Sequence, residues 1–255
     1  TFEMYKDSAV CANGAMYRKD VRGFLPELME KIYKDRTIYK KKMLQAKQDY
    51  EKTPTKTLEK EIARCNNIQM ARKIQLNSAY GAIGNQYFRY YKLANAEAIT
   101  LSGQVSIRWI ENRMNGYLNK LLQTEGEDYV IASDTDSIYL NMGPLVDKFF
   151  SGKSGDKTAI VSILDKICED KLEPFIEQSY TKLANYVQAY EQKMIMKREN
   201  IAERGIWTAK KRYILNVWNS EGVQYSEPKL KMMGIEAVKS STPAPCRQMI
   251  KDGLK

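Results

Sequence analysis

The sequence predicts an α+β fold, and three observations carry that prediction. Two long stretches of helix formers, residues 27–52 and 57–80, meet at a breaker, Thr53-Pro54-Thr55. A turn-centred run, residues 129–140 (YVIASDTDSIYL), sets β-branched and aromatic residues on both sides of an Asp-Thr-Asp core. Residues 212–218 alternate, with Tyr213, Leu215 and Val217 on one face and Arg212, Ile214, Asn216 and Trp218 on the other.

The elements follow in chain order. Residues 1–22 read as a short β region, in which Asn13-Gly14 is a two-residue hairpin signal between Ala9-Val10-Cys11-Ala12 and Ala15-Met16-Tyr17. Pro26 suits the first turn of a helix, and no Gly or Pro interrupts the chain from Glu27 to Lys52. The second long helix ends near Gly81 and Gly84. Joined by so short a connection, the two form an αα-hairpin whose arms are each roughly 35–40 Å long, a projecting arm more than a compact bundle. Residues 95–123 predict a third helix with Ile99, Trp109, Ile110, Met114 and Leu118 facing inward. After the Asp-Thr-Asp hairpin, residues 151–156 form a loop, and two helices are expected over 160–171 and 174–190, the second started by Pro174. A strand over 193–197, the alternating strand, a turn at 219–222, a return over 224–226, a short strand over 230–235 and a helix opened by Pro243 and Pro245 complete the chain.

Composition narrows the chemistry. In 255 residues, 41 Lys plus Arg against 31 Asp plus Glu leave a net charge of +10, which favours a polyanionic partner. There is no histidine, which excludes a Ser-His-Asp triad, a Cys-His dyad and any imidazole metal site. Chemistry then falls to carboxylates, lysine, tyrosine or a metal held by oxygen. Cys11, Cys65, Cys168 and Cys246 have spacings that suggest neither zinc nor a dense disulfide scaffold, so a reduced, intracellular setting is expected. No apolar run approaches the ~18 residues of a membrane span.

Asp134 and Asp136 stand two apart, so in extended geometry their side chains share a face. Like charges that close are either a solvated acidic turn or a cation site, and hard carboxylate oxygens suit magnesium with substrate phosphates. On the first arm Arg36, Lys40 and Lys47 lie within about 40° of one another at ~100° per residue. On the second, Lys73, Asn77 and Tyr80 fall at i, i+4 and i+7, a face that mixes a cation, an amide and an aromatic.

These pieces together resemble a known family. Lys73-x-x-x-Asn77-Ser78-Ala79-Tyr80-Gly81 resembles the fingers motif, motif B, of family B DNA polymerases. Asp134-Thr135-Asp136-Ser137, about 55 residues later, resembles the palm's motif C, and Lys210-Lys211-Arg212-Tyr213 the downstream K-K-x-Y element. Gly84-Asn85, Phe88-Arg89-Tyr90-Tyr91, the run from Gly205 to Trp218, and Lys239-Ser240-Ser241-Thr242-Pro243 look like the T-even-type bacteriophage branch, over essentially the whole chain.

The resemblance implies a palm, an antiparallel sheet backed by helices, with a two-helix fingers arm. Residues 1–25 and 85–244 would be palm, 26–84 fingers, and 245–255 the start of a thumb. It implies deoxynucleotidyl transfer to a primer 3′-hydroxyl with two magnesium ions. Asp136 is the expected direct ligand and Asp134 its support. Arg36, Lys40 and Lys73 would meet the triphosphate, and Lys73 could also protonate the departing pyrophosphate. Asn77 and Tyr80 would border the nascent base pair, while Lys210, Lys211 and Tyr213 hold the primer–template duplex.

Ala132-Ser133 replaces the family's usual Tyr-Gly before motif C. The family's motif A, with the other metal-bridging carboxylate, is absent from the sequence and is expected before Thr1. An exonuclease portion on that side, a thumb beyond Lys255 and a sliding clamp bound through it are the partners the resemblance implies, besides DNA and deoxynucleoside triphosphates. No membrane is expected, and the host cytoplasm is the implied setting. Two competing readings remain: a non-catalytic DNA-binding module of polymerase-like shape, and another D-x-D enzyme such as a nucleotide-sugar glycosyltransferase, which gives no reason for a long basic arm.

Overall fold

A computed structural model describes residues 5–150 and 156–254. It shows an α+β fold with three separate antiparallel sheets of two, two and three strands. The first pairs β1 (Ser8–Val10) with β2 (Met16–Arg18). Their turn is wider than the two residues expected. Val10 pairs with Met16, the Cys11 amide donates to the Ala15 carbonyl, and Gly14 takes φ +82°. Asn13 is occupied at both ends of its amide, accepting from the Ala15 amide and donating to the Ala94 carbonyl, so the turn docks on the start of the helix Leu93–Leu122.

The helical hairpin forms as predicted, from α1 (Phe24–Lys52) and α2 (Lys56–Ile83). Thr55 caps α2 by accepting from the Leu58 amide at 3.2 Å, and Pro54 cannot extend α1. Arg72 Nε donates to Asp35 at 2.5 Å, pinning the helices together and setting Lys73 and Arg36 at similar heights on the arm. The arm does not project freely, as the sequence suggested. Its first helix lies along the edge of the three-stranded sheet, where Gln48 accepts from the Gln224 amide and Glu51 pairs with Lys229.

The main core surrounds α3 (Leu93–Leu122), whose Ile110, Met114, Leu118 and Leu122 are buried. Ile99, expected inside, is 52% exposed, because the first turns of α3 run beyond the core to meet α2. Against α3 pack the hairpin β3 (Val130–Asp134) and β4 (Ser137–Leu140), a short helix α4 (Gly143–Phe150) absent from the sequence expectations, and a long rod. That rod corrects the expected pair of helices. It runs through α5 (Lys157–Ile167), one π-helical turn at Cys168–Leu172, and α6 (Glu173–Tyr186) without a break. Pro174 has no N–H to give, and the turn before it widens so that the Glu173 amide reaches the Cys168 carbonyl instead. The loop expected at 151–156 falls, except for its last residue, outside the described residues.

The third sheet has the order β5 (Asn200–Ala209), β6 (Arg212–Ser220), β7 (Val223–Met233). The strand expected at 193–197 is not formed; pairing starts at Asn200. The two short strands expected after Gly222 are one long strand, and Pro228 is tolerated inside it because β7 is an edge. Tyr213, Leu215 and Val217 of β6 are buried as their alternation predicted. The chain ends on α7 (Ala244–Gly253), with Pro243 and Pro245 at its start.

Candidate active site

Helix α3 acts as the ruler of the site. Asn115 Oδ1 accepts from the Tyr129 and Val130 amides, at 3.0 and 2.9 Å, and so fixes the start of β3. Three residues on, Ser133 shares a shallow cleft with Ile107, Arg108 and Glu111 of α3. The tip of the hairpin is tighter than the sequence suggested. Ser133 and Asp134 belong to β3, Asp134 pairs with Ser137, and only Thr135 and Asp136 make the turn, with Thr135 at φ +56°. Thr135 supports this by donating its hydroxyl to Asp134 Oδ1 at 3.0 Å. Asp136 is exposed on the turn, and its charge is close enough to join burial in pushing the Tyr180 phenol up to about 12.

The Lys210-Lys211 turn comes to the same place from the third sheet. Lys211 Nζ lies 3.7 Å from Asp134 Oδ1. Lys211 has φ +61°, and its carbonyl is packed on Gly234, where an added Cβ would sit 2.3 Å from that oxygen. Arg212 and Glu236 pair at 2.6 Å beside it. Beneath this turn, Tyr139 of β4 meets Trp207 and Tyr213 edge-on, each at a centroid distance of 5.4 Å. Burial, and then the neighbouring Tyr213, hold the Tyr139 phenol well above its ordinary range. Tyr213 itself is only 5% exposed, so it supports the lysine turn from below, while Lys210 and Lys211 face solvent.

The arm contributes from the other side. Tyr80 and Thr100 of α3 share a hydroxyl–hydroxyl hydrogen bond of 2.8 Å. Thr100 precedes Arg108 by eight positions, about 12 Å along the helix, which sets Tyr80 on the hairpin-tip side of Ser133. Asn77 and Lys73 are exposed on the same helix. Lys40 is not gathered with them. It pairs with Glu221 at the far end of β6, and the strand from Arg212 to Ser220 is about 26 Å long. Arg36, on the same stripe, has its Nε buried without a hydrogen-bond partner.

Asp134 and Asp136 offer the hard oxygen donors that magnesium takes, but among the described residues no group of three or more His, Cys, Asp or Glu could hold a metal ion. The sequence did not point to Thr100, Tyr139, Trp207 or Glu221. Tyr139 lies in a run with the pattern of a strand, where an aromatic is unremarkable until the partner sheet is known, and Trp207 falls between the two expected strands, 193–197 and 212–218.

Comparison with known proteins gives the family. The profile of DNA polymerase family B matches residues 3–159. The DNA-directed DNA polymerase of Escherichia phage RB69 is 36% identical over 95% of this chain and 32% of its own length. That of Enterobacteria phage T4 is 33% identical over the same shares. The DNA polymerase delta catalytic subunit of Drosophila melanogaster is 29% identical over 52% of this chain and 11% of its own length. The chain thus spans about a third of the length of the phage relatives. With the profile covering more than half of its residues, the chain belongs to DNA polymerase family B.

Proposed function

We propose that this chain carries the fingers and most of the palm of a template-directed DNA polymerase, transferring deoxynucleotides to a primer 3′-hydroxyl. The observation that carries this reading is the meeting of the Asp-Thr-Asp tip with the Lys210-Lys211 turn, 3.7 Å apart at Asp134 and Lys211, in a chain of this family. Residues 26–84 act as fingers, 1–25 and 85–244 as palm, and 245–255 begin a thumb.

Asp136, with Asp134 beside it, would hold magnesium, and a third carboxylate comes from a segment outside these 255 residues. Bound ions would stabilise the attacking and leaving oxygens of the in-line displacement. The chain's own residues do the rest. Lys73 faces the triphosphate as a mobile point charge and is the proton donor to the leaving pyrophosphate. Arg36 and Lys40 join it once the arm leaves the sheet edge. Asn77 and Tyr80 flank the incoming base; the Thr100 bond fixes the Tyr80 ring, so that it tests shape without reading sequence. Lys210 and Lys211 grip the duplex backbone and minor groove, with Tyr213 holding their strand in place. The polymerase works in the host cytoplasm with a clamp as its processivity partner.

The test is primer extension by this chain joined to a segment supplying the third carboxylate. Wild type should extend and Asp136→Ala should not; the 255-residue chain alone should extend nothing. Lys73→Ala should slow incorporation far more than it weakens duplex binding. An Asp136→Ala assembly as fast as wild type overturns the site assignment, whereas a wild-type assembly that binds duplex but extends nothing leaves a DNA-binding module.

A further inference from the structure

Three contacts strap α1 to the β6–β7 hairpin. Lys40 pairs with Glu221 in the turn, Gln48 accepts from the Gln224 amide at 3.2 Å, and Glu51 pairs with Lys229. They fall in the same order along helix and strand, and at ~100° per residue the three α1 positions span about 80° of its surface. The hairpin end is itself braced. The Glu221 amide donates to the Glu199 carbonyl at 2.6 Å, and Lys231 pairs with Glu199 at 2.7 Å. Burial alone would raise the Glu199 carboxyl, yet it lies below its ordinary value because Lys231 and, more weakly, Lys40 are close. Lys229 is also held from the other side, its ammonium 4.0 Å from the Tyr225 ring centroid. The Lys40 ammonium is thus seated against acidic groups about a strand's length from the Asp134 end of the sheet. On the facing helix, by contrast, Lys73 is exposed and enters no ion pair among the described residues.

We propose that Glu221 is a positioning residue that parks the arm, by holding Lys40 in competition with the polyphosphate of an incoming nucleotide. This rests on the reading of Lys40 as a triphosphate ligand. A nucleoside triphosphate carries several charges where Glu221 carries one, so it outcompetes the carboxylate and releases the strap from its turn end. Until then Lys40 stays engaged with Glu221 while Lys73 faces solvent. Such a device keeps the arm open without nucleotide and makes its closure depend on phosphate charge, not on base identity.

Hydrogen exchange of residues 221–229 in the 255-residue chain, with and without sodium tripolyphosphate, reads the strap directly. Tripolyphosphate should accelerate exchange there in wild type. Glu221→Gln should exchange faster from the start and bind tripolyphosphate about two- to five-fold more tightly, the scale of one partly exposed ion pair. Glu51→Gln loosens the same strap from its other end and should shift both readouts in the same direction, which guards against a local folding defect at the turn. Unchanged tripolyphosphate affinity in both variants, or exchange that ignores tripolyphosphate in wild type, overturns the proposal. Neither result touches the polymerase reading, which stands or falls on Asp136→Ala in primer extension.

Discussion

Gly234 offers a quantitative test of how the lysine turn is positioned. It has φ +65°, and a Cβ placed on it would lie 2.3 Å from the Lys211 carbonyl oxygen and 3.1 Å from Arg212 Cγ. Gly222, in the turn at the other end of β6, has φ +88° with nothing within 4 Å of its added Cβ. Both substitutions to alanine therefore carry the left-handed backbone cost of about 1–2 kcal/mol. Only Gly234→Ala adds an overlap that backbone must relieve, about 1–3 kcal/mol. At ~2–4 °C per kcal/mol for a chain of this size, Gly222→Ala should lower Tm by about 2–8 °C. Gly234→Ala should lower it by a further 2–12 °C or so on the same scale. Differential scanning calorimetry at neutral pH measures both. Because the overlap falls on Lys211, Gly234→Ala should also weaken duplex DNA binding and lessen its salt dependence, whereas Gly222→Ala should leave both alone. Equal Tm losses, or a Gly234→Ala chain with wild-type DNA binding, would refute the claim that Gly234 sets the turn.

Met114 is fully buried at the centre of the main core, and Met114→Ala should cost about 2–5 kcal/mol in chemical denaturation without changing the far-ultraviolet spectrum of the folded chain. Tyr139→Ala loses two edge-on aromatic pairs, about 1–3 kcal/mol beyond the buried area, whereas Tyr139→Phe keeps both rings and should stay within about 1 kcal/mol of wild type. The Arg212 guanidinium, and then Lys239, hold the Glu236 carboxyl at about 2 against an ordinary 4.5. A depressed carboxyl stabilises the folded chain above its unfolded value and loses that share as pH falls toward the folded one. Acid melts should therefore show Glu236→Gln with a flatter decline than wild type between about pH 4.5 and 2; parallel declines would mean the pairing is not felt.

Elements whose signal is local were legible in the sequence. The arm could be read because breakers bound two uninterrupted helices, and β6 because one of its faces is buried along its whole length. β5 as a whole escaped the sequence reading, which expects a strand at 193–197 instead, because β5 is bulged near both ends and largely exposed, so no clean alternation marks it. The short helix α4 is held by a single fully buried leucine, Leu145, too little periodicity to separate it from a loop. The Asp-Thr-Asp tip and the Lys210-Lys211 turn could each be named, but not their meeting, which depends on Tyr139 seating two sheets against each other. The docking of the arm was invisible for a similar reason. Lys40 and Glu221 are 181 positions apart, and an ion pair leaves no periodic trace.

The widened turn in the long rod settles a matter of phase. Counted at ~100° per residue, Val161 and Leu164 before the turn would face about 100° away from Ile176, Tyr180 and Leu183 after it. That offset equals one residue of rotation, and one extra residue is what a π-helical turn absorbs. All five side chains consequently reach the same core. Shortening Cys168–Leu172 by one residue, with Pro174→Ala to allow a regular ladder, would keep the rod's apolar stripe straight. The same deletion at Lys182, past the turn, would twist Leu183 out of the core that carries the Asp-Thr-Asp hairpin.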